Sequence, residues 1–560
     1  MFSKRMKHAH RYQEIIRAFL RNGFGYIVKD LGLSEAISLS LKKESHSNTS
    51  DFSHRTLGER IRILFQELGT TFIKLGQIAS TRMDIFPENI IKELEKLQDH
   101  VPPIPSSEVN RILEVELGGR IETIFAEFHD IATASASIGQ VHFARLHSGE
   151  SVAVKIQRPR IRTVIETDLE ILEDIARLMD TKLGWAKNYH FPDIVEEFSK
   201  SLRAELDYSI EGRNAEKIAN QFMQDTSVHI PKIYWEYSTK TVLTMEFIEG
   251  VKINNLDLLT ESGYNRKTIA EKFTQCMLQQ ILVDGFFHGD PHPGNVIIMP
   301  GEVIGLMDFG MVGHLSQEMK LQFVLLVISL KRGDSDGITN VLLQMGLFPD
   351  DVDINLLRFD VENIRNKYYD LPLSQLHLGE VIQELFTIAA RYHIQIPAEF
   401  TMLGKSLMTL EGIVEFLDPE CNIMSIAEPF AGKLMKERYQ PKKIIDNVWE
   451  QIKEYSEFMS SLPKNIKELT TTVQKGKLHF NISTPELHIL LERLDKISNR
   501  LSFSIVLLAF SIIMVGLIIG SSIGRQATIL WEIPIIEVGA VVATLMFLWL
   551  LFAIFRSGKF

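Results

Sequence analysis

The sequence predicts an α+β protein of two lobes, with a helical extension ahead of them and a two-helix transmembrane hairpin behind. Three observations predict it. Strand patterns cluster between residues 131 and 157, a second strand pair sits at 296–307 inside otherwise helical sequence, and two long uncharged stretches close the chain. At 560 residues the chain exceeds one ordinary core and implies about three or four domain-sized units. Its net charge of −11 argues against nucleic-acid binding. Cys276 and Cys421 lie far apart, which suggests neither a disulfide framework nor a zinc site and fits a reduced, cytosolic setting.

Residues 1–50 read as a basic amphipathic segment and linker. Lys4, Arg5, Lys7, Arg11, Arg17 and Arg21 surround Ile15, Ile16, Phe19 and Leu20, a pattern that suits either an anionic membrane surface or packing on the protein's own body. No continuous apolar run follows these charges, so the segment is not a secretory signal. Residues 51–125 form a helical extension: apolar residues recur at helical spacing through Leu57, Ile61, Leu64, Leu68 and Phe72 and again at Ile90, Ile91 and Leu94, predicting two helices broken at Phe86 and Pro87.

The first lobe covers 126–250. Strand-like sequence at 135–145, a turn at His147, Ser148 and Gly149, and a second strand at 151–157 make a hairpin that ends on Lys155 and its neighbours. Helical sequence follows to Lys217, then strands at Ile233–Tyr234 and 242–248. The second lobe, 251–440, is mostly helical apart from a hairpin at 296–306. A juxtamembrane helical region, 441–502, leads to the hairpin of 503–560. There, 503–523 is uncharged and 535–555 carries only Glu537, each close to the roughly 20 residues that cross a bilayer. Arg493, Lys496, Arg500, Arg556 and Lys559 flank the outer ends and place them, with the catalytic lobes, on the cytosolic side of a cell membrane as a two-span protein. Gly516 and Gly520, with Gly524 a step further on, allow close helix packing, either with the second span or in a homodimer.

Chemistry concentrates in His288-Gly289-Asp290-Pro291-His292-Pro293-Gly294-Asn295 and in Asp308-Phe309-Gly310. Their order is that of a phosphoryl-transfer site: an Asp that orients or deprotonates the acceptor, then an Asn and a second Asp that bind Mg²⁺. Asp290, Asn295 and Asp308 fill these places. An Asn carbonyl beside an Asp carboxylate is the hard-oxygen set Mg²⁺ takes, completed by phosphate and water. Lys155 in Val152-Ala153-Val154-Lys155 matches a strand lysine that pairs nucleotide phosphates, which makes ATP the expected nucleotide. Its carboxylate partner falls among Glu205, Asp207 and Glu211, which helix spacing alone does not separate. The phosphate loop departs from the glycine-rich pattern: Ala134, Ser135, Ala136, Ser137, Ile138 and Gly139 put small side chains where glycine favours close backbone approach.

Taken with Phe72-Ile73-Lys74-Leu75-Gly76-Gln77, Ser80-Thr81-Arg82, Asp84 and Leu97-Gln98-Asp99, these motifs resemble the UbiB-type atypical kinase family. The resemblance implies a two-lobed protein-kinase-like fold with an added helical element over the active site. It assigns Lys74 and Gln77 to that covering element, Glu205 and Asp207 to an E-x-D element beneath it, and Glu211 to the ion pair with Lys155. The backbone from Glu246 to Ile248 becomes the hinge that meets adenine. It further implies a role in quinone or isoprenoid-lipid biosynthesis, with membrane lipids, isoprenoid intermediates or quinone-biosynthesis enzymes as partners.

A covering element near the phosphates disfavours a protein acceptor, so ATPase chemistry is expected over protein phosphorylation. Gly289 in place of the arginine usual in this loop, and the lack of an A-P-E element after Gly313, agree with that. Two other functions fit the same motifs: a small-molecule phosphotransferase, and a nucleotide-binding membrane scaffold with little turnover.

Overall fold

The computed structural model describes residues 8–33, 55–82, 85–97, 102–184, 191–346, 348, 352–368 and 378–438, with isolated positions between 505 and 548. The chain divides into two units, Met1–Ile444 and Ile445–Phe560.

In the first unit the strands, in chain order, are β1 (Phe125–Phe128), β2 (Ala134–Ser135), β3 (Gly139–Leu146), β4 (Ser151–Gln157), β5 (Val228–His229), β6 (Val242–Glu246), β7 (Val251–Lys252), β8 (Phe286–His288), β9 (Val296–Met299), β10 (Val303–Leu306) and β11 (Val312–His314). The first lobe is built on a sheet ordered β1-β3-β4-β6, with β2 paired to the start of β3. Alternation along β4 sends Val152, Val154 and Ile156 into the core while Ser151, Ala153 and Lys155 face the other way, so the register that buries the valines also presents the lysine. The expected strand at Ile233–Tyr234 is reduced to one bridge, Ile233 to Met245, because Tyr234 leads into a 3₁₀ turn at Trp235–Tyr237.

Between Leu57 and Leu94 the helical extension has three helices, not two, and Ser106–Leu117 and Ile121–Ile124 follow before β1. Leu57–Leu68 begins with a capping box between Thr56 and Glu59 and stops at Gly69, whose φ of 89° a side chain would resist. Thr70–Ala79 restarts immediately, and Glu88–Leu94 follows the expected break at Phe86 and Pro87. The extra break at Gly69 turns the helix carrying Lys74 and Gln77 toward the first lobe's long helix, Ile161–Lys182, which it packs against.

The basic N-terminal helix, Ala9–Arg21, packs on this extension. Tyr12, Ile15, Ile16 and Ala18 are buried in one cluster with Leu64, Leu68, Phe72 and Ile73. Of the two readings of this segment, packing on the body is the one the structure shows, and the apolar face a membrane would need is already covered.

In the second lobe one large core gathers helices Arg266–Leu278, Gln317–Arg332, Ser335–Met345, Ile354–Tyr368, Leu378–Arg391, Ala398–Leu417 and Ile423–Arg438 around the β9/β10 hairpin. Arg266–Leu278 runs on into a π turn, Gln279–Asp284, closed by Gly285 at φ 67°. Buried Gln280 in that turn accepts the His288 amide at 2.9 Å, fixing where the loop 288–295 begins.

In the second unit the described positions are helical. Ile505, Leu508, Ile512, Val515, Ile519, Val541, Leu545 and Leu548 are exposed, and Phe510 stacks on Phe547 with centroids 4.5 Å apart. No helix among the described residues is long and apolar enough to cross a membrane. The transmembrane hairpin expected from hydropathy finds no support there, because most of 503–523 and of 535–555 lies outside the described residues. The expected juxtamembrane region 441–502, and Gly520 and Gly524 of the proposed packing motif, lie outside the described residues.

Candidate functional site

Lys155 points from β4 to the helix Tyr208–Gln221, where Glu211 meets it through both carboxylate oxygens at 2.8 Å. The three candidate carboxylates separate because no single helix holds them. Glu205 ends the helix Phe191–Glu205, Asp207 caps the next by accepting from the Ser209 amide, and only Glu211 faces the strand. The i,i+4 relation between Asp207 and Glu211 does not apply across that cap.

Asp308 brings a second carboxylate to Lys155 at 3.9 Å. Its backbone sits at φ 56°, the left-handed region that a non-glycine residue adopts at a cost. The turn is held by its own Oδ1, which accepts from Gly310 N–H at 3.2 Å, and by Asn214, whose amide donates to the Phe309 carbonyl at 3.0 Å. Buried Phe309 anchors the motif in the core. Lys155, then Lys74, hold the Asp308 carboxyl down to about 2, although partial burial works against ionisation. Burial opposes charge on Lys155, but Asp308 and Glu211 overcome it and raise its pKa, so an ammonium and two carboxylates form the floor of the site.

The β9/β10 hairpin places Asn295 before its first strand and Asp308 after its second, as the sequence pattern predicts. Asn295 uses its side-chain amide to hold the Asp290 carbonyl at 3.2 Å, which leaves Oδ1 as the atom able to face a cation. His288 is fully buried, and burial lowers its pKa. As the neutral ring it donates Nε2–H to the Met307 carbonyl at 2.9 Å and accepts the Asp290 amide on Nδ1 at 3.2 Å. It thus ties the loop of Asp290 to the strand that leads into Asp308.

The small-residue loop folds back on β3, with the Ala136 amide donating to the Gly139 carbonyl at 2.8 Å and Ser137 fully buried. Arg158, which sequence reasoning missed, braces it by donating to the Ala136 carbonyl, the Pro102 carbonyl and Ser135 Oγ, each at 2.9 Å. Gly139 is required by contact: a Cβ there would meet Tyr208 Oη at 2.3 Å and the Ile156 carbonyl at 2.6 Å. At the hinge segment, the Glu246 amide donates to Lys232 and the Phe247 amide to Ser151, while Ile248 is buried.

Of the covering element, Lys74 reaches Glu205 at 3.5 Å. Gln77 instead donates to the Leu97 carbonyl at 3.2 Å, and Asp207 is engaged in its cap and with Lys240 at 3.9 Å. Asp84, Gln98 and Asp99 lie outside the described residues.

Residues that no local pattern disclosed come from the helix Ala398–Leu417. Lys405 lies 3.4 Å from Asp290, Ser406 Oγ donates toward the His288 and Gly289 carbonyls at 3.3 and 3.1 Å, and Met402 packs on Gly289. A Cβ on Gly289 would stand 2.6 Å from Met402 Sδ and 3.2 Å from the Met311 carbonyl, so the glycine makes room for this helix. Gly289→Ala is expected to lower stability by about 1–2 kcal/mol, toward the lower end for overpacking because Met402 is flexible. Denaturant midpoints measure this; an unchanged midpoint would show that the helix is not held against the loop.

Among the described residues no three His, Cys, Asp or Glu side chains converge as a self-sufficient metal site. One carboxylate and one amide carbonyl suit an ion that takes its remaining ligands from phosphate and water, as Mg²⁺ does, and do not suit zinc.

Residues 96–342 match the ABC1 atypical kinase-like domain, 361–422 the UbiB helical domain, and 485–556 the ABC1/UbiB kinase-like C-terminal domain. The chain is 32% identical to a Clostridium pasteurianum protein described as an uncharacterized protein in hydrogenase 1 5′ region, across 98% of this chain and 99% of that one. It is 33% identical to the probable protein kinase UbiB of Pseudomonas aeruginosa, across 71% and 76%. A Mycobacterium tuberculosis structure described as a complex of Rv3197 with erythromycin aligns at 25% identity and a TM-score of 0.47, over 65% of this chain and 93% of that one.

Proposed function

The chain belongs to the ABC1/UbiB family of atypical kinase-like proteins, and from that premise we propose that it is a Mg²⁺-dependent, ATP-consuming kinase or ATPase that serves quinone or isoprenoid-lipid biosynthesis at a membrane. The observation that carries the chemistry is the array of Lys155, Glu211 and Asp308, with pair distances of 2.8 and 3.9 Å. Glu211 fixes Lys155 so that its charge meets nucleotide phosphates without reorganisation. Asp308 and the Asn295 carbonyl would hold the ion, which when bound neutralises phosphate charge. Asp290 orients the attacking hydroxyl and takes its proton. The small-residue loop, braced by Arg158, lies over the phosphates, and the Glu246–Ile248 backbone meets the base.

Hydrolysis is favoured over phosphorylation of a protein. The covering helix brings Lys74 to Glu205, and the helix Ala398–Leu417 abuts the catalytic loop, so bulky acceptors meet two added elements at the acceptor side. Quinone chemistry is supported by the likeness to the UbiB protein, and membrane location by the hydropathy of 503–523 and 535–555. Membrane lipids and quinone-pathway enzymes are the partners this reading implies.

The test joins biochemistry to cells. Purified protein is expected to hydrolyse ATP with Mg²⁺, to stop with EDTA, and to run faster with anionic vesicles. Cells lacking the protein, and cells carrying Asp290→Asn, are expected to show the same fall in isoprenoid quinones by mass spectrometry. Normal pools in both would overturn the pathway; a labelled small molecule formed from radiolabelled ATP would point to a phosphotransferase instead.

A further inference from the structure

We infer that Lys405 is a catalytic residue, the cation that holds the transferring γ-phosphoryl group, supplied by the helical domain rather than by the catalytic loop. The inference rests on the nucleotide reading above and deepens it.

The argument starts from the loop's own shortage of charge. Between Asp290 and Asn295 the chain offers only Pro291, His292, Pro293 and Gly294, and the exposed ring of His292 is turned back to accept the Gly294 amide at 2.9 Å. Lys155 is committed to Glu211 and Asp308 on the other side of the site. A phosphoryl group in flight, its negative charge spread over three equatorial oxygens, therefore meets no cation from the loop itself.

Lys405 stands where one is needed. Its ammonium is 3.4 Å from Asp290 Oδ1, and the two side chains are 16% and 28% exposed. That separation is longer than a charge-assisted N–H···O bond, so the ammonium is near the catalytic carboxylate without being locked to it. The stem is fixed more firmly than the tip. Met402, Lys405 and Ser406 share one helix face, with Met402 seated on Gly289 and Ser406 Oγ between the His288 and Gly289 carbonyls. Three successive residues of the loop thus meet one turn of the helix. Glu95 is close enough to feel both Lys405 and Asp290; desolvation chiefly raises its pKa, with Lys405 and Lys92 opposing.

In the step this implies, the bond from the γ-phosphorus to its bridging oxygen breaks and ADP leaves. A new bond forms from a water or acceptor hydroxyl oxygen, whose proton passes to Asp290. Lys405 stays protonated and shifts from Asp290 to the γ-phosphoryl oxygens.

Because ADP lacks that group, the two nucleotides separate this role from a structural one. Calorimetric affinities of the full chain for Mg-ATP and Mg-ADP are compared with those of Lys405→Met and Lys405→Gln. Both variants are expected to bind ATP about tenfold more weakly while ADP changes less than twofold. Lys405→Arg is expected to recover most of the ATP affinity. Equal losses for ATP and ADP, or an unchanged ratio, would overturn the proposal while leaving the nucleotide site standing. If the unaltered protein binds neither nucleotide, this assignment falls together with the function it rests on.

Discussion

Asp308→Asn is expected to cut Mg²⁺-dependent ATP hydrolysis by roughly a hundred- to a thousandfold while leaving the protein folded. The substitution keeps the shape of the side chain and the Oδ1 that accepts the Gly310 amide at 3.2 Å, so the left-handed turn at φ 56° retains its support. What it removes is charge. Lys155 holds the carboxyl at about 2, so at neutral pH the native residue is a full anion beside that ammonium, and an asparagine carbonyl is a much weaker ligand for a hard cation. Lys155 keeps Glu211 at 2.8 Å, which limits collateral damage to the ammonium. The linkage sign agrees: a carboxylate with a depressed folded pKa contributes stability above its unfolded value near 3.8, and loses it as pH falls toward 2. The variant should therefore differ from the parent in unfolding at neutral pH and converge with it in strong acid. Hydrolysis measured across a Mg²⁺ titration decides the matter; retention within tenfold would remove Asp308 from the site.

That site was largely legible because its parts are local. The small-residue loop and Lys155 lie on one hairpin, and Asn295 and Asp308 on another, so short-range strand patterns were enough to place them. The choice of Glu211 was not legible from periodicity, since it depends on a helix break at Leu206 and Asp207 that a cap residue creates within continuous helix-like sequence. The resemblance supplied it. Lys405 and Arg158 carried no signal at all: one reaches Asp290 from a distant helix, and the other makes its contacts mainly to backbone carbonyls, which any sequence provides. The covering element was only partly legible, because Gln77 finds its partner in the Leu97 carbonyl rather than in a side chain that a motif could name. Gly69 was visible as a residue, but its φ of 89° was not, and one helix became two.

Arg11→Met is expected to cost about 3 kcal/mol in the first unfolding transition of the first unit, a larger effect than its place near the chain's start suggests. The guanidinium meets Asp168 through two hydrogen bonds, Nε to Oδ1 at 2.7 Å and Nη2 to Oδ2 at 2.9 Å, and also donates to the Leu68 carbonyl at 2.7 Å. Asp168 lies on the long helix Ile161–Lys182, its side chain is 1% exposed, and Thr71 Oγ1 donates to it at 2.6 Å from the helix that carries Lys74. Methionine preserves much of the stem's packing but leaves a buried carboxylate with a hydroxyl as its remaining side-chain partner here, which is the costly half of breaking such a pair. The estimate stays low in the usual range because Arg11 itself is 24% exposed. Asp168→Asn in the same chain should recover most of the loss, since the uncompensated charge is what destabilises; failure to recover would assign the cost to packing instead. The pair also decides what the basic helix does. If Ala9–Arg21 served chiefly to grip an anionic membrane, Arg11→Met would weaken vesicle binding and leave unfolding unchanged. A helix that braces the element carrying Lys74 gives the reverse, and its loosening would be read in the site as weakened contact between Lys74 and Glu205.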